Sequence, residues 1–227
     1  MKYLCENISG CVLGYTQSDE ITLLLIDYKS MAQGAWFGYV KRKVETISAS
    51  MATMAFNKFY TDIVKERVRK ELKGCETEAD KKKVTDYYTK YARKCGKAMF
   101  DSRAWNMPEF EVINGFIWRQ NDCVRNSIQS VAQANFSAKQ LEHKNQKELM
   151  DMLMLKKGVN WNDYPIYLKR GTCCVKVPQT YNEGTPDEFT RSKWVIDKEI
   201  PTFTKDRDYI EKRFKNIRTV MNKIDRK

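Results

Sequence analysis

The chain has 227 residues, enough for one sizeable core or a small core with an appended lobe, and one compact unit is expected. Its 41 Lys and Arg against 29 Asp and Glu give a formal charge of +12, which favours a polyanionic partner, nucleic acid first. Seven cysteines with no C-x-x-C spacing and a single histidine, His143, argue against a disulfide framework, a zinc site and Ser-His or Cys-His catalysis. No apolar run approaches the roughly 20 residues that cross a bilayer, and the opening residues lack the pattern of a signal peptide, so the expectation is a cytoplasmic chain with no membrane partner.

The first elements are the apolar runs Cys11-Val12-Leu13-Gly14-Tyr15 and Ile21 to Ile26, separated by the polar turn Gln17-Ser18-Asp19-Glu20. Strand, turn and strand make a hairpin. A carboxylate at the mouth of a hairpin is held rigidly yet faces solvent, as a magnesium ligand must, although acids are also ordinary turn residues. Adjacent residues on a strand point to opposite faces, so Asp19 and Glu20 are not expected to ligate one ion together. Asp27, eight residues on, reads as strand-end polarity.

A long helix follows from about Ala35 to Leu72, with Val40, Val44, Ile47, Met51 and Met54 at spacings of four and three, a stripe expected to pack against a sheet. The segment from Lys65 to Lys97 is dense in charge; Gly74 punctuates it and Thr77 is a candidate cap for a second helix. Ala98 to Trp105 reads as a strand, and Pro108 opens a helix to about Ala134. There Ile117, Val124, Ile128 and Val131 face the core, while Arg119, Asp122 and Asn126 share a polar side. Leu149, Met152 and Leu153 mark another helix that stops at Gly158. Thr172 to Pro178 and Lys193 to Asp197 read as a late hairpin. In the final helix Ile210, Phe214, Ile217, Met221 and Ile224 form a seam that docks on the chain's own core or on a second copy.

Several motifs in order carry a resemblance: Tyr15 to Glu20, Phe100-Asp101-Ser102-Arg103, Trp118-Arg119-Gln120, Arg125-Asn126-Ser127, Gly158-Val159-Asn160-Trp161-Asn162 and Lys169-Arg170-Gly171. Together they resemble the tRNA(His) guanylyltransferase family, most strongly its Thg1-like branch of 3′-to-5′ polymerases. The resemblance implies an α+β fold, a ferredoxin-like polymerase-type palm (βαββαβ) with helical additions and a C-terminal helix. Residues 1–180 are then the palm-like domain, and 181–227 a hairpin strand and basic helix packed on it.

The same resemblance implies a magnesium-dependent nucleotidyltransferase that adds nucleotides to the 5′ end of tRNA, with two Mg2+ ions, GTP and ATP as substrates, and a homo-oligomeric, tetrameric assembly. Asp19 is the implied metal ligand and catalytic residue, with Glu20 beside it. Ser18, Lys43 and Asn160 are implied on the nucleotide, and Arg119, Asn126 and Arg170 as substrate-positioning groups. Asn160 also suits a capping role next to Gly158.

Two departures matter. The family's first strand ends in an Asp-Gly-Arg/Lys-Ala-Phe segment bearing the other metal ligand, and that segment is absent from this sequence. A reading frame begun at an internal Met, a split protein and a decayed relative all fit, and the expectation is a poor catalyst without that segment. Val124 also replaces the histidine of a His-Ile-Asn-Asn run, which points toward 5′-end repair rather than dedicated addition of G. The alternatives are a catalytically impaired RNA-binding or assembly subunit and a palm-type enzyme making a small nucleotide.

Overall fold

A computed structural model describes residues 1–28 and 33–215. In chain order its elements are α1 (Lys2–Asn7), β1 (Cys11–Gln17), β2 (Glu20–Leu25), α2 (Lys41–Lys73), α3 (Glu78–Ala92), α4 (Val112–Asn135), α5 (Ala138–Leu141), α6 (Gln146–Lys157), α7 (Ile166–Arg170), β3 (Thr172–Tyr181), β4 (Phe189–Asp197) and α8 (Asp208–Glu211). They make the mixed α+β architecture implied by the resemblance. Two compact units form: one from Met1–Ala35 with Asn106–Lys227, the other from Trp36–Trp105.

The first unit is built on a four-stranded antiparallel sheet in the order β2-β1-β3-β4. β1 is central and almost wholly buried, as its continuous apolar run requires, whereas β2 lies at the edge and is only half-buried. A register shift between Cys11 and Leu13 breaks the strict alternation, so Val12 and Leu13 both join the main core. On one face Tyr15, Cys173 and Val175 pack with Ile113 and Phe116 of α4 and with Ile200, Phe203, Ile210 and Phe214. Tyr15 meets Phe203 and Phe116 edge-on at 5.8 and 6.3 Å, contacts worth about 0.5–1.5 kcal/mol each beyond area burial. The opposite face carries Cys5 of α1, Cys11, Cys174 and Trp194.

Gln120 ties the C-terminal segment to α4. Its buried amide donates to the Pro201 carbonyl at 2.9 Å and accepts from the Phe203 N–H at 2.8 Å. Ile210 and Phe214, the first two seam residues, are fully buried in this core, so that part docks on the chain itself. Ile217, Met221 and Ile224 lie outside the described residues. The second half of α4 packs on α5 and α6 through Ile128, Ala132, Leu141, Leu149 and Leu153. Gly158 ends α6 at φ +64°, the left-handed conformation expected of that glycine. His143 is exposed.

In the second unit α2 and α3 pair, and Thr77 caps α3 by accepting from the Asp80 N–H at 3.1 Å. Two expectations are corrected here. Residues 98–105 form no strand among the described residues. They run extended beside α2, whose side chains replace a neighbouring strand: Asn57 bonds both backbone groups of Ala98 at 2.8 and 3.0 Å, Thr53 accepts from Phe100 N–H at 3.1 Å, and Glu45 accepts from Ala104 N–H at 3.0 Å. Those bonds satisfy four of the segment's backbone groups without a ladder. The stripe on α2 is also less buried than its spacing suggests. Val44 is buried, but Ile47 and Met54 are exposed, and the other buried positions are Ala55 and Val64. Polar contacts from Glu45, Thr53 and Asn57 orient the helix instead.

All seven cysteines are free thiols, five of them buried and Cys75 and Cys95 partly exposed. The hydrogen bond to Cys11, with burial adding, pushes the Cys5 thiol up to about 12. A bond to Cys5 and burial raise Cys174 as well, and burial raises Cys173 and Cys123. Raised thiols stay protonated near neutrality and react slowly. Titration of the native protein with a thiol reagent at pH 7.5 is therefore expected to modify Cys75 and Cys95 promptly and the other five only after denaturation. Prompt reaction of Cys5 or Cys174 would contradict this packing.

Candidate active site

The tight connection between β1 and β2 consists of Ser18 and Asp19, closed by the Gln17–Glu20 pair. Ser18 sits at φ +48°, a left-handed conformation uncommon outside glycine, which turns the chain sharply and leaves Ser18, Asp19 and Glu20 exposed at the hairpin mouth. β2 ends at Leu25, so Asp27 stands beyond the strand, in keeping with its reading as strand-end polarity.

The two acids of the turn differ in their surroundings. Glu20 Oε2 accepts from an Arg119 guanidinium nitrogen at 2.7 Å and from Gln17 Nε2 at 3.1 Å. Asp19 makes no hydrogen bond or ion pair with the described residues. Arg119 stacks on Trp118, its guanidinium carbon 4.6 Å from the ring centroid. Arg119 and Glu20 are thus brought together, and Arg119 is committed to the protein's own carboxylate. No group of three His, Cys, Asp or Glu side chains suited to a metal occurs among the described residues. Magnesium is commonly held by one or two carboxylates plus water and phosphate oxygens. The donor set fits a single ion on Asp19, completed by substrate oxygens, rather than two ions held by the described side chains.

Beside the turn lies a cleft of about 390 Å³, lined by Gln17 and Ser18 of the hairpin, by Cys123, Asn126, Ser127 and Ser130 of α4, and by Trp161, Tyr164, Tyr167, Leu168 and Lys169. Its floor is fixed by local bonds. Trp161 donates its indole N–H to Ser127 at 3.1 Å, and Asn126 donates to Asp122 at 3.2 Å. Asp122 is also paired with Arg125. Burial raises the Cys123 thiol, so it is neutral lining and not a nucleophile.

The wall from Trp161 to Lys169 is tied to the sheet just beyond its end. Tyr15 donates from its hydroxyl to the Arg170 carbonyl at 2.7 Å. Gly171 follows at φ +83°, ψ −164°, and a Cβ there would stand 2.5 Å from Thr16 O and 2.8 Å from the Tyr15 ring. Only glycine fits, which explains the Lys169-Arg170-Gly171 order.

The sequence-derived residues fall in different places. Ser18 and Asn126 line the cleft, Asp19 adjoins it in the turn, and Arg170 is partly buried where α7 meets β1. Asn160 takes its alternative role as a cap: Oδ1 accepts from the Asn162 N–H at 3.0 Å and Nδ2 donates to Asp163 at 3.0 Å. It does not line the cleft. Lys43, exposed in the first turn of α2, belongs to the second unit and is not a lining residue. Lys169 and Gln17 were not legible as site residues, since a charged and an amide side chain carry no signal of burial. Lys169 is 9% exposed and Gln17 4%, with Gln17 Oε1 unpartnered among the described residues.

Replacing Gly171 by alanine is expected to cost about 1–3 kcal/mol, or more if Thr16 cannot yield, and to lower the chemical-denaturation midpoint. An unchanged midpoint would contradict the close approach of this residue to β1.

Comparison with known proteins bears on the same segments. The family model for Thg1, tRNAHis guanylyltransferase, matches residues 1–108. A solved bacterial tRNA(His) guanylyltransferase (Thg1)-like protein in complex with ATP is 38% identical, with 93% of this chain and 74% of that chain covered at a TM-score of 0.68. A second such bacterial structure, in complex with GTP, is 34% identical, covering 93% of this chain and 73% of that one at a TM-score of 0.62. The uncharacterized protein R259 of Acanthamoeba polyphaga mimivirus is 25% identical over 183 residues, 75% of this chain, which spans 57% of the viral protein's length.

Proposed function

This chain belongs to the tRNA(His) guanylyltransferase family, and from that membership we propose that it is a magnesium-dependent nucleotidyltransferase that extends the 5′ end of tRNA in the 3′-to-5′ direction. The observation that carries the reading is the unpaired Asp19 carboxylate beside a cleft of nucleotide dimensions with aromatic and basic walls. The bacterial relatives solved with ATP and GTP support nucleoside triphosphates as substrates. Val124 in place of histidine favours repair of truncated 5′ ends over dedicated addition of G. By the same resemblance the protein acts as a homo-oligomer, and we propose that it works in the cytoplasm.

In the reaction, the 3′-hydroxyl oxygen of an incoming nucleoside triphosphate bonds to the 5′ phosphorus of the RNA. The bond from that phosphorus to its leaving group breaks, releasing pyrophosphate from a triphosphorylated end or AMP from an adenylylated one, and the hydroxyl proton passes to solvent. Asp19 would hold a magnesium ion, which would supply neutralisation of phosphate charge. Ser18 and Asn126 orient the nucleotide, and Arg170, next to the lining residue Lys169, acts as a substrate-positioning group. Arg119 acts through Glu20: an exposed pair of this kind contributes about 0.2–1 kcal/mol to stability, but it fixes the side of the turn on which Glu20 lies and leaves Asp19 free.

Charge distribution supports RNA as the partner. Residues 36–105 hold 17 Lys and Arg against 9 Asp and Glu, so this stretch carries +8 of the formal +12. A second reading, an RNA-binding subunit of impaired chemistry, is favoured by one observation: the hairpin offers a single unpaired carboxylate among the described residues.

The test is incorporation of labelled GTP into a 5′-triphosphorylated tRNA lacking its first nucleotide. The wild-type chain is expected to label the 5′ end, and Asp19→Ala to lose at least about a hundredfold in rate with an unchanged melting temperature, since Asp19 makes no hydrogen bond or ion pair with the described residues. Salt-sensitive tRNA binding without any labelling would favour the second reading.

A further inference from the structure

We infer that Lys169 is the anion anchor of the cleft and receives a polyphosphate group, deepening the nucleotide-site reading on which this inference rests. Lys169 is the only cation among the described residues that is nine-tenths buried. Its ammonium donates to the Asn162 carbonyl at 2.5 Å and lies 5.4 Å from the centroid of the Trp161 ring. No carboxylate of the described residues comes within ion-pair distance of it. A carbonyl and a ring face satisfy part of an ammonium and leave two of its donors without a partner among the described residues.

A purely structural role explains this poorly. Capping one carbonyl needs a neutral donor, and a glutamine would serve without the charge. The charge becomes useful if the cleft admits an anion. Lys169 shares the lining of the cleft with Ser18, whose hydroxyl makes no hydrogen bond to the described residues, and with Tyr164 and Tyr167. That combination of buried cation, hydroxyl and aromatic wall matches a phosphate chain continuing into a nucleoside. Either a free nucleoside triphosphate or the 5′-triphosphate end of an RNA presents this chemistry.

The probe is inorganic tripolyphosphate, with binding followed by calorimetry and thermal shift at low salt. Wild type is expected to bind. Lys169→Met and Lys169→Gln are expected to raise Kd at least about tenfold, and Lys169→Arg to stay close to wild type. Without ligand, Lys169→Met should stay folded, since the ammonium holds a single hydrogen-bond acceptor, the Asn162 carbonyl, among the described residues. Should that variant not fold, Lys169→Gln, which keeps a donor for the Asn162 carbonyl, carries the same comparison. Tripolyphosphate binding as tight in the neutral variants as in wild type, no binding by wild type, or misfolding of all three variants would each overturn the inference. Competition by ATP against a 5′-triphosphorylated oligonucleotide separates the two sources. Loss of tripolyphosphate binding in Lys169→Met together with no RNA labelling by wild type removes the proposed reaction and leaves the anchor standing. Normal labelling with unaltered binding removes the anchor alone.

Discussion

The approach of residue 171 to the backbone of Thr16 is the constraint on which the site depends. It lets α7 end against the central strand, where the Tyr15 hydroxyl takes the Arg170 carbonyl and turns the chain into β3. β3 then pairs with β1 from Thr16↔Thr172 onward, so the same few residues set both the register of the sheet and the position of the cleft wall. Tyr15 itself is clamped between Phe116 and Phe203. Hairpin, α4 and the Trp161-to-Lys169 wall are thereby fixed to one rigid element, as a positioning site requires.

Electrostatics then divide the polar residues by role. The turn presents two acids, and Arg119 neutralises one of them. That arrangement leaves one carboxylate exposed in the turn, without a partner among the described residues, and one ammonium buried in the lining of the neighbouring cleft. Under the proposed function a metal ion would be held at Asp19 and phosphate oxygens at Lys169.

Much of this was legible in the sequence where a local rule dictates the outcome. The hairpin, the Thr77 cap, the stop at Gly158 and the late β3–β4 pair follow from turn chemistry and period, which act over a few residues. The helix from Pro108 onward was legible too, with Ile128 in its core face. Long-range choices were less so. Residues 98–105 have strand-like composition, yet helix side chains satisfy their backbone, an outcome no local pattern encodes. In the site, Asp19, Ser18 and Asn126 stood out through motif order. Gln17 and Lys169 did not, because their importance lies in burial, and burial of a polar side chain is a property of the fold.

The measurement that tests the central claim most directly is a crystal structure of the protein with a non-hydrolysable nucleoside triphosphate and magnesium. The account predicts density for the nucleotide in the cleft between Ser18, α4 and Trp161, with its phosphates within hydrogen-bond distance of Lys169 and a metal ion at Asp19. A nucleotide bound elsewhere on the chain, with Lys169 still bonded only to Asn162 and Asp19 without a metal, would contradict it.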